Sequence, residues 1–192
     1  MFKDFAHRHL PCSVDGSQDL VIISRESKGS SQLGKESNYN GVFSPISEVT
    51  TGSLLQTTDD QYLVLSLRRT TDKDKYCGMV KVNAAIVIQR YSQPYDKNDN
   101  EDGPPTFTAV QTGVVAFAEF VSAKLLQEEP GLLPTTTHLL RVQNTVNVKR
   151  PNDPTLEQRD RILLHGRPYQ VDDINDVKYP GLYQVQLSED RR

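Results

Sequence analysis

The sequence predicts a mainly β protein: a small antiparallel β-barrel or sandwich with long loops and little helix. Three observations lead there. Short segments such as residues 61–67 (QYLVLSL) alternate with period two, which sends successive side chains to opposite faces of a sheet. The segments follow one another closely, with no helical stretch between them to carry a parallel crossover, so antiparallel pairing follows. Clusters of Gly, Pro, Asn, Asp and Ser punctuate them, as turns require.

Taken in chain order, residues 20–23 (LVII) form a short β-branched run, and residues 24–41 (SRESKGSSQLGKESNYNG) read as an irregular loop. Residues 61–67 and 85–89 (AIVIQ), the latter after an approach through Lys81, Val82 and Asn83, read as strands. The acidic, proline-bearing stretch YSQPYDKNDNEDGPP from Tyr91 to Pro105 has almost no apolar residue and reads as a protruding loop or disordered insertion. Residues 113–126 fit two patterns. Val114, Phe117, Ala118, Val121 and Leu125 make a helical stripe, whereas the β-branched and aromatic content of residues 113–121 favours a strand. Residues 139–142, 146–149, 161–164, 169–174 and 182–187 complete eight or nine strands. The pair 161–164 and 169–174 makes a compact hairpin around His165-Gly166-Arg167. With no internal repeat and no clear linker, residues 1–192 read as a single β domain. It carries a flexible N-terminal arm over about residues 1–18 and the acidic loop or insertion over about residues 91–107.

Composition narrows the function. Even with its 11 glycines added, the apolar fraction of 36 % stays below the roughly 45–50 % of compact soluble domains, so long loops or surfaces buried against partners are expected. A net charge of −3 gives no reason to expect a nucleic-acid binder held by a basic face, and leaves a local basic patch open. No apolar run reaches the roughly 18–20 residues that span a bilayer, and the opening MFKDFAHRHLPC lacks the apolar core of a secretory signal. Cys12 and Cys77 stand far apart and form no CxxC, which reads as two reduced thiols, a disulfide being the alternative.

The constellations that would carry chemistry are incomplete. His7, His9 and Cys12 offer three metal-ligand types, but a structural zinc site takes four and no partner pair exists. Asp96, Asn98, Asn100 and Asp102 alternate as in a calcium loop, yet Glu101 and Phe107 stand where an EF-hand needs Gly and Glu. Asp172, Asp173 and Asp176 lie near Arg161 and Arg167. Paired carboxylates serve acid–base catalysis, but here they border the Tyr179-Pro180-Gly181 turn, where aspartate is common for turn reasons. No motif for a cofactor is present. The stretch LLQEEPGLLPTTTHLL holds two apolar pairs around a Pro-Gly kink, which either bury against a neighbouring subunit or pack over the barrel mouth. The expected subunit-interface residues are therefore Leu125, Leu126, Leu132 and Leu133, with Arg161, Arg167, Asp172 and Asp173.

The order of THLLRV (from Thr137), NTVNVK (from Asn144), DRILLHGRPYQVDDIND (from Asp160) and GLYQVQLSEDR (from Gly181) resembles small neck proteins of tailed bacteriophages: head-completion, stopper or head–tail joining proteins. VVAFAEFVSAKLL (from Val114) is similar to the strand before their long loop. YNGVFSPISEVTTGS (from Tyr39) is similar to a Tyr-Asp-Pro-x-Thr-Gly turn of neck and tail proteins, with Phe43-Ser44-Pro45 replacing it and Glu48 where Gly is expected. The resemblance is carried by the C-terminal part. The acidic insertion and the N-terminal half exceed the small family members, leaving stopper, tail terminator and adaptor layers open. The resemblance implies a virion protein with no catalytic residue and no cofactor, assembled as a ring of commonly six copies. Its partners would be other copies of itself, the portal or adaptor protein, and tail tube or terminator proteins. Genomic DNA would pass through the lumen without sequence-specific binding, and no membrane is involved. Two other classes are kept beside it. One is a small-barrel single-stranded nucleic-acid binding module using Tyr91, Tyr95, Tyr169, Tyr179 and Tyr183. The other is a metal-dependent enzyme at Asp172, Asp173 and Asp176.

Overall fold

The computed structural model describes residues 2–25, 37–98 and 100–192. Its strands close into two antiparallel barrels of six strands each, with little helix. The first is built from β1 (Leu10–Val14), β2 (Ser17–Arg25), β3 (Asn38–Phe43), β4 (Leu54–Gln56), β5 (Gln61–Arg69) and β6 (Lys75–Lys81), in the order β1-β2-β3-β6-β5-β4. The second uses β7 (Ala84–Ser92), β8 (Thr106–Phe120), β9 (His138–Gln143), β10 (Arg161–Leu164), β11 (Arg167–Asn175) and β12 (Leu182–Glu189), in the order β10-β11-β12-β9-β8-β7. Counted from its own first strand, the second barrel is wired 1-2-3-6-5-4, as is the first. The repeat that the sequence hides is a repeat of topology.

The single domain expected from the sequence is thus two compact units. One comprises Met1–Val82 with Asp176–Leu182, the other Asn83–Asn175 with Tyr183–Arg192. No linker betrays the division, because β6 ends at Lys81 and β7 begins at Ala84.

The first barrel starts where a flexible arm is expected. A 3-10 helix, Lys3–Arg8, leads into β1, and β1 pairs with β2 through an Asp15-Gly16 turn whose two φ angles are 49° and 91°. Two consecutive positive φ values match the twist of a tight hairpin, and Asp-Gly is the favoured pair for it. Cys12 and Val14 point into the barrel core with Phe43, Leu55, Val64 and Met79. Phe2 is 6 % exposed on the outer face, packed with Ile22 and Val42, and its amide donates to Asp74 Oδ2 at 2.8 Å. The arm is fixed because two alternating apolar residues and one Phe find cores. Pro11 and the surrounding polar residues mask that pattern in the sequence. The loop expected over residues 24–41 is strand at both ends, with β2 running to Arg25 and β3 starting at Asn38, while residues 26–36 lie outside the described residues.

In the second barrel β7 and β8 form a long hairpin that takes in much of the expected acidic loop. β7 continues to Ser92, β8 starts at Thr106, and Tyr95 bridges to Glu101 near the tip. Residues 113–126 realise both sequence patterns in turn. β8 continues to Phe120, and α1 (Ala123–Glu128) follows, with the Ser122 hydroxyl accepting from the Leu125 amide at 3.2 Å as its N-cap. Residues 146–149, expected as a strand, are irregular, because side chains satisfy their backbone instead. The Asn147 amide donates to Gln111 Oε1 and the Lys149 amide to Asp160 Oδ2. The hairpin at 161–174 forms as expected, with His165 and Gly166 at φ 50° and 77° between the paired ends Leu164 and Arg167.

Both cysteines are free and buried in the first core. Burial pushes each thiol up to about 12, with nearby Asp19 adding to the rise at Cys12. A thiol held that far from its thiolate is a poor nucleophile. Iodoacetamide at pH 8 is therefore expected to leave both cysteines unlabelled in the folded protein and to label both in urea, as counted by intact mass.

Candidate functional site

A cleft of about 430 Å³ lies on the outer face of the first barrel. It arises from strand register. Cys77 and Met79 are 0 % and 1 % exposed, so the alternation of β6 turns Tyr76 and Gly78 outward. Gly78 pairs with Asn40 on β3 and Ser66 on β5, and Tyr76 pairs with Val42 and Arg68. A β-bulge between Val64 and Ser66 sets β5 into this register. At the centre the Ser66 hydroxyl leans over Gly78: a Cβ there would sit 2.7 Å from Ser66 Oγ. The Arg68 guanidinium lies 4.4 Å from the Tyr76 ring centre, and Tyr76 also packs on the Phe2, Ile22 and Val42 cluster. Asn38, Tyr39, Asn40, Leu65, Leu67, Met79 and Tyr179 complete the walls. The lining thus mixes the apolar side chains of Leu65, Leu67 and Met79 with amides, hydroxyls, aromatic rings and one guanidinium, and has no carboxylate.

A second, shallower depression over Thr57–Gln61 is closed by the ion pair of Lys81 with Asp60. The hydrogen bond from Lys81 holds the Asp60 carboxyl below its usual range against the opposing effect of desolvation. This pair sits on the surface and is internally satisfied.

The residues expected at a subunit interface are placed as follows. Leu125 is buried with Val121 and Leu139, and Leu126 and Leu132 pack against that cluster. Leu133 is 41 % exposed, its amide donating to Gln186 Oε1 at 2.8 Å. Arg161 donates through Nε to Asp190 Oδ2 at 2.7 Å and stacks 3.5 Å from the Phe107 ring centre. Arg167 is exposed at the hairpin turn. Asp172 is buried, with Oδ1 accepting from Arg159 Nη1 at 3.0 Å and Gln170 Nε2 at 2.9 Å. Asp173 lies on the far side of a β11 bulge, where its Oδ2 accepts from Gln186. The two aspartates therefore hold separate partners and do not share a site, and Asp176 begins the segment belonging to the other unit. His7, His9 and Cys12 also part company. His9 Nε2 donates to the Phe2 carbonyl at 3.0 Å, and Cys12 is inside the barrel. Asp96 caps its own turn, Oδ1 accepting from the Asn98 and Asn100 amides at 2.7 and 2.9 Å.

Asp190 gathers the chain's densest ion-pair cluster among the described residues. Arg161 donates to Oδ2, while Arg192 donates through Nε to Oδ1 and through Nη2 to Oδ2, each of the latter at 2.9 Å. Burial opposes the charged form, but the hydrogen bonds from Arg192 and Arg161 outweigh it and hold the carboxyl down at about 2. A depressed acid stabilises the fold above its unfolded pKa of about 4, and that contribution is lost as pH falls through the folded value. Asp190→Asn is thus expected to cost about 2 kcal/mol at pH 6 and nothing near pH 2, read from urea unfolding at both pH values.

A further feature is an open sheet edge. β8 pairs with β7 along its length but with β9 only from Phe117 to Phe120. Among the described residues no strand takes the second edge of β8 before Phe117. Residues 106–112 (TFTAVQT) on that edge are partly or fully exposed and contain no charge and no proline.

No family model and no curated protein matches the chain. Among solved structures, a K. pneumonia MrkH–c-di-GMP complex aligns at 8 % identity over 100 % of this chain and 84 % of that one, with a TM-score of 0.16. A likeness at that level carries no argument.

Proposed function

We propose that the chain is a structural subunit of the neck of a tailed bacteriophage, one of several copies in a ring that joins the portal or adaptor to the tail. The observation that carries the reading is the uncharged open edge of β8. Sheet proteins ordinarily blunt such an edge with charge, proline or a covering segment. An edge neutral over residues 106–112 suits one that a strand of another chain covers, with bulges opposite Ile88 and Gln89 bending it locally. Contact between that edge and a different segment of the next copy is heterologous, the kind that closes into a ring when the rotation allows. The closed second barrel supplies a stiff base for such a contact. The strand and turn order from Thr137 to Arg191 adds the resemblance to head-completion and stopper proteins. The ring geometry leaves the genome a lumen without demanding a basic protein.

Electron microscopy of purified virions tests this. A ring containing this chain at the head–tail junction is expected, and finding the chain only in lysate, absent from particles, would overturn the reading. Ala109→Lys puts a charge in the middle of the open edge. It is expected to leave the strand-dominated circular dichroism unchanged and to exclude the chain from particles.

A further inference from the structure

Beyond Gln89 the β7–β8 hairpin runs on as a ribbon of two strands. β10 pairs with β7 only from Ile86 to Gln89, and β9 meets β8 only from Phe117. Among the described residues, the rows Arg90–Thr108, Tyr91–Phe107 and Ser92–Thr106 therefore have no third strand on either side. A two-stranded ribbon in water is marginally stable at best. On the β7 side this one is tied back by Arg90, whose guanidinium holds Asp160, and by the Gln93 amide, which donates to Glu157 Oε2 at 3.3 Å. On the β8 side, ahead of Val110, Phe107 makes the tie to the rest of the barrel. The Arg161 and Arg192 guanidiniums lie 3.5 and 5.1 Å from its ring centre, and the Tyr91 ring tilts against it at 5.5 Å. The equivalent strand of the first barrel, β2, also runs past its partner β3, over residues 17–20. There Asp19 puts a charge on the edge, and its carboxylate accepts from the Leu20 amide and the Ser47 hydroxyl. One wiring thus occurs with a blunted edge and with an open one, so the opening at β8 is not imposed by the topology.

We propose that residues 190–192 are a latch that fixes the open edge of β8 in place for strand addition, acting on it through Phe107. This rests on the reading that a strand of another chain covers that edge, and it adds what holds the edge ready. The latch is built as one platform. Asp190 binds both guanidiniums. Arg192 Nη1 donates to Gln158 Oε1 at 3.1 Å and to the Arg159 carbonyl at 3.3 Å, and Arg161 Nη2 donates to the Arg192 carbonyl at 3.1 Å. With both guanidiniums held in this way, the ring that rests on them is held in turn. The barrel wall closes without these contacts. β12 is paired with β11 as far as Glu189, and β10 is paired on both sides from Arg161, so residues 190–192 add to a ladder that is already complete. A strand that docks on a loose ribbon has to order the ribbon as well, and that cost comes off the affinity. A latched ribbon has been ordered by its own chain, and its free edge stands ready as a template.

Hydrogen exchange on the full chain, read by mass spectrometry of its peptides, tests the latch without any particle. Two variants loosen it from opposite sides. Phe107→Leu takes away the ring and leaves the ion pairs, and Arg192→Ala takes away one guanidinium and leaves the ring. Each is expected to speed exchange over residues 90–92 and 106–109 about tenfold while β9 and β11 stay within about twofold of the wild type. Far-ultraviolet circular dichroism is expected to be unchanged in both. Exchange of the ribbon at the wild-type rate in either variant overturns the latch. So does an equal acceleration in β9 and β11, which would make the cluster a support of the whole barrel. The same variants carried into virus particles test what the latch is for. Incorporation about tenfold below the wild type is expected, and incorporation at the wild-type level by a ribbon shown to be loosened overturns the role in docking. Absence of the wild-type chain from particles overturns the neck reading and leaves the exchange result standing, so the two failures are told apart.

Discussion

Gly181→Ala is expected to destabilise the first barrel by about 4 kcal/mol or more, a size reserved for changes the backbone cannot absorb. Gly181 has φ +82°, and a Cβ built on it would lie 2.3 Å from the Thr51 carbonyl oxygen and 3.1 Å from Gly52 Cα. Gly52, at φ +87°, faces it in the same way, its Cβ position 2.4 Å from the Gly181 oxygen. Two chain segments cross there main chain on main chain, and neither clash is relieved by rotating a side chain. A positive φ alone costs a residue with a Cβ roughly 1–2 kcal/mol; the overlap adds the rest. Gly16 and Gly166 provide the control. Both have positive φ but no atom within 4 Å of the Cβ position, so alanine there is expected to cost only the conformational part, about 1 kcal/mol. Gly52→Ala combined with Gly181→Ala is expected to cost less than the sum of the two, because one separation of the crossing relieves both. Urea unfolding followed by two spectroscopic probes measures the three single and double variants at the crossing and the two controls.

Asp160→Ala should rival it in the second barrel. Asp160 is 0 % exposed and accepts Arg90 Nε at Oδ1 and Arg90 Nη2 at Oδ2, both at 2.9 Å, with the Lys149 amide on Oδ2 at the same distance. Its own carbonyl accepts from the Val171 amide. One carboxylate therefore ties β7, the irregular segment after β9, and the start of β10. Removing it leaves a partly buried guanidinium without its fork, which costs about 3–5 kcal/mol. Replacing Arg90 together with Asp160 is expected to recover part of that loss, since the uncompensated charge goes too. An equal loss in single and double variants, measured by denaturant midpoint, would mean that Asp160 acts through the Lys149 amide alone.

How legible this was follows from where each signal lives. β2, β5, β7, β9, β10, β11 and β12 announce themselves by alternation or β-branched runs, so the mainly β class could be read directly. β3 and β6 could not, because Gly41 and Gly78 interrupt them and glycine in a strand reads as a turn. The reason for those glycines is tertiary. A Cβ on Gly41 would meet Met79 Cε at 2.9 Å, and one on Gly78 would meet Ser66. β4 is three residues long, below what any pattern resolves. The division into two barrels left no trace because no linker separates β6 from β7. The cleft was equally hidden: Asn40, Ser66 and Gly78 come together only through the β3-β6-β5 pairing, and only Tyr179 among its walls was singled out from the sequence. The Arg161 and Asp172 charges, expected at a subunit interface, form ion pairs within the chain. Their partners, Asp190 and Arg159, lie on other elements, and pairing across a barrel is not written in local spacing.

The crossing at Gly52 and Gly181 also sets a timetable. The first barrel is complete in its strands by Lys81, yet residues 176–182 belong to the same unit and are made almost a hundred residues later. At roughly 5–20 residues per second, a ribosome takes about 5–20 s to deliver that segment. During that interval the first barrel lacks the segment that covers its Thr51–Gly52 backbone. N-terminal parts generally finish first during synthesis; here the first barrel to emerge is completed only by residues 176–182, which are made after β7 to β11 of the second barrel.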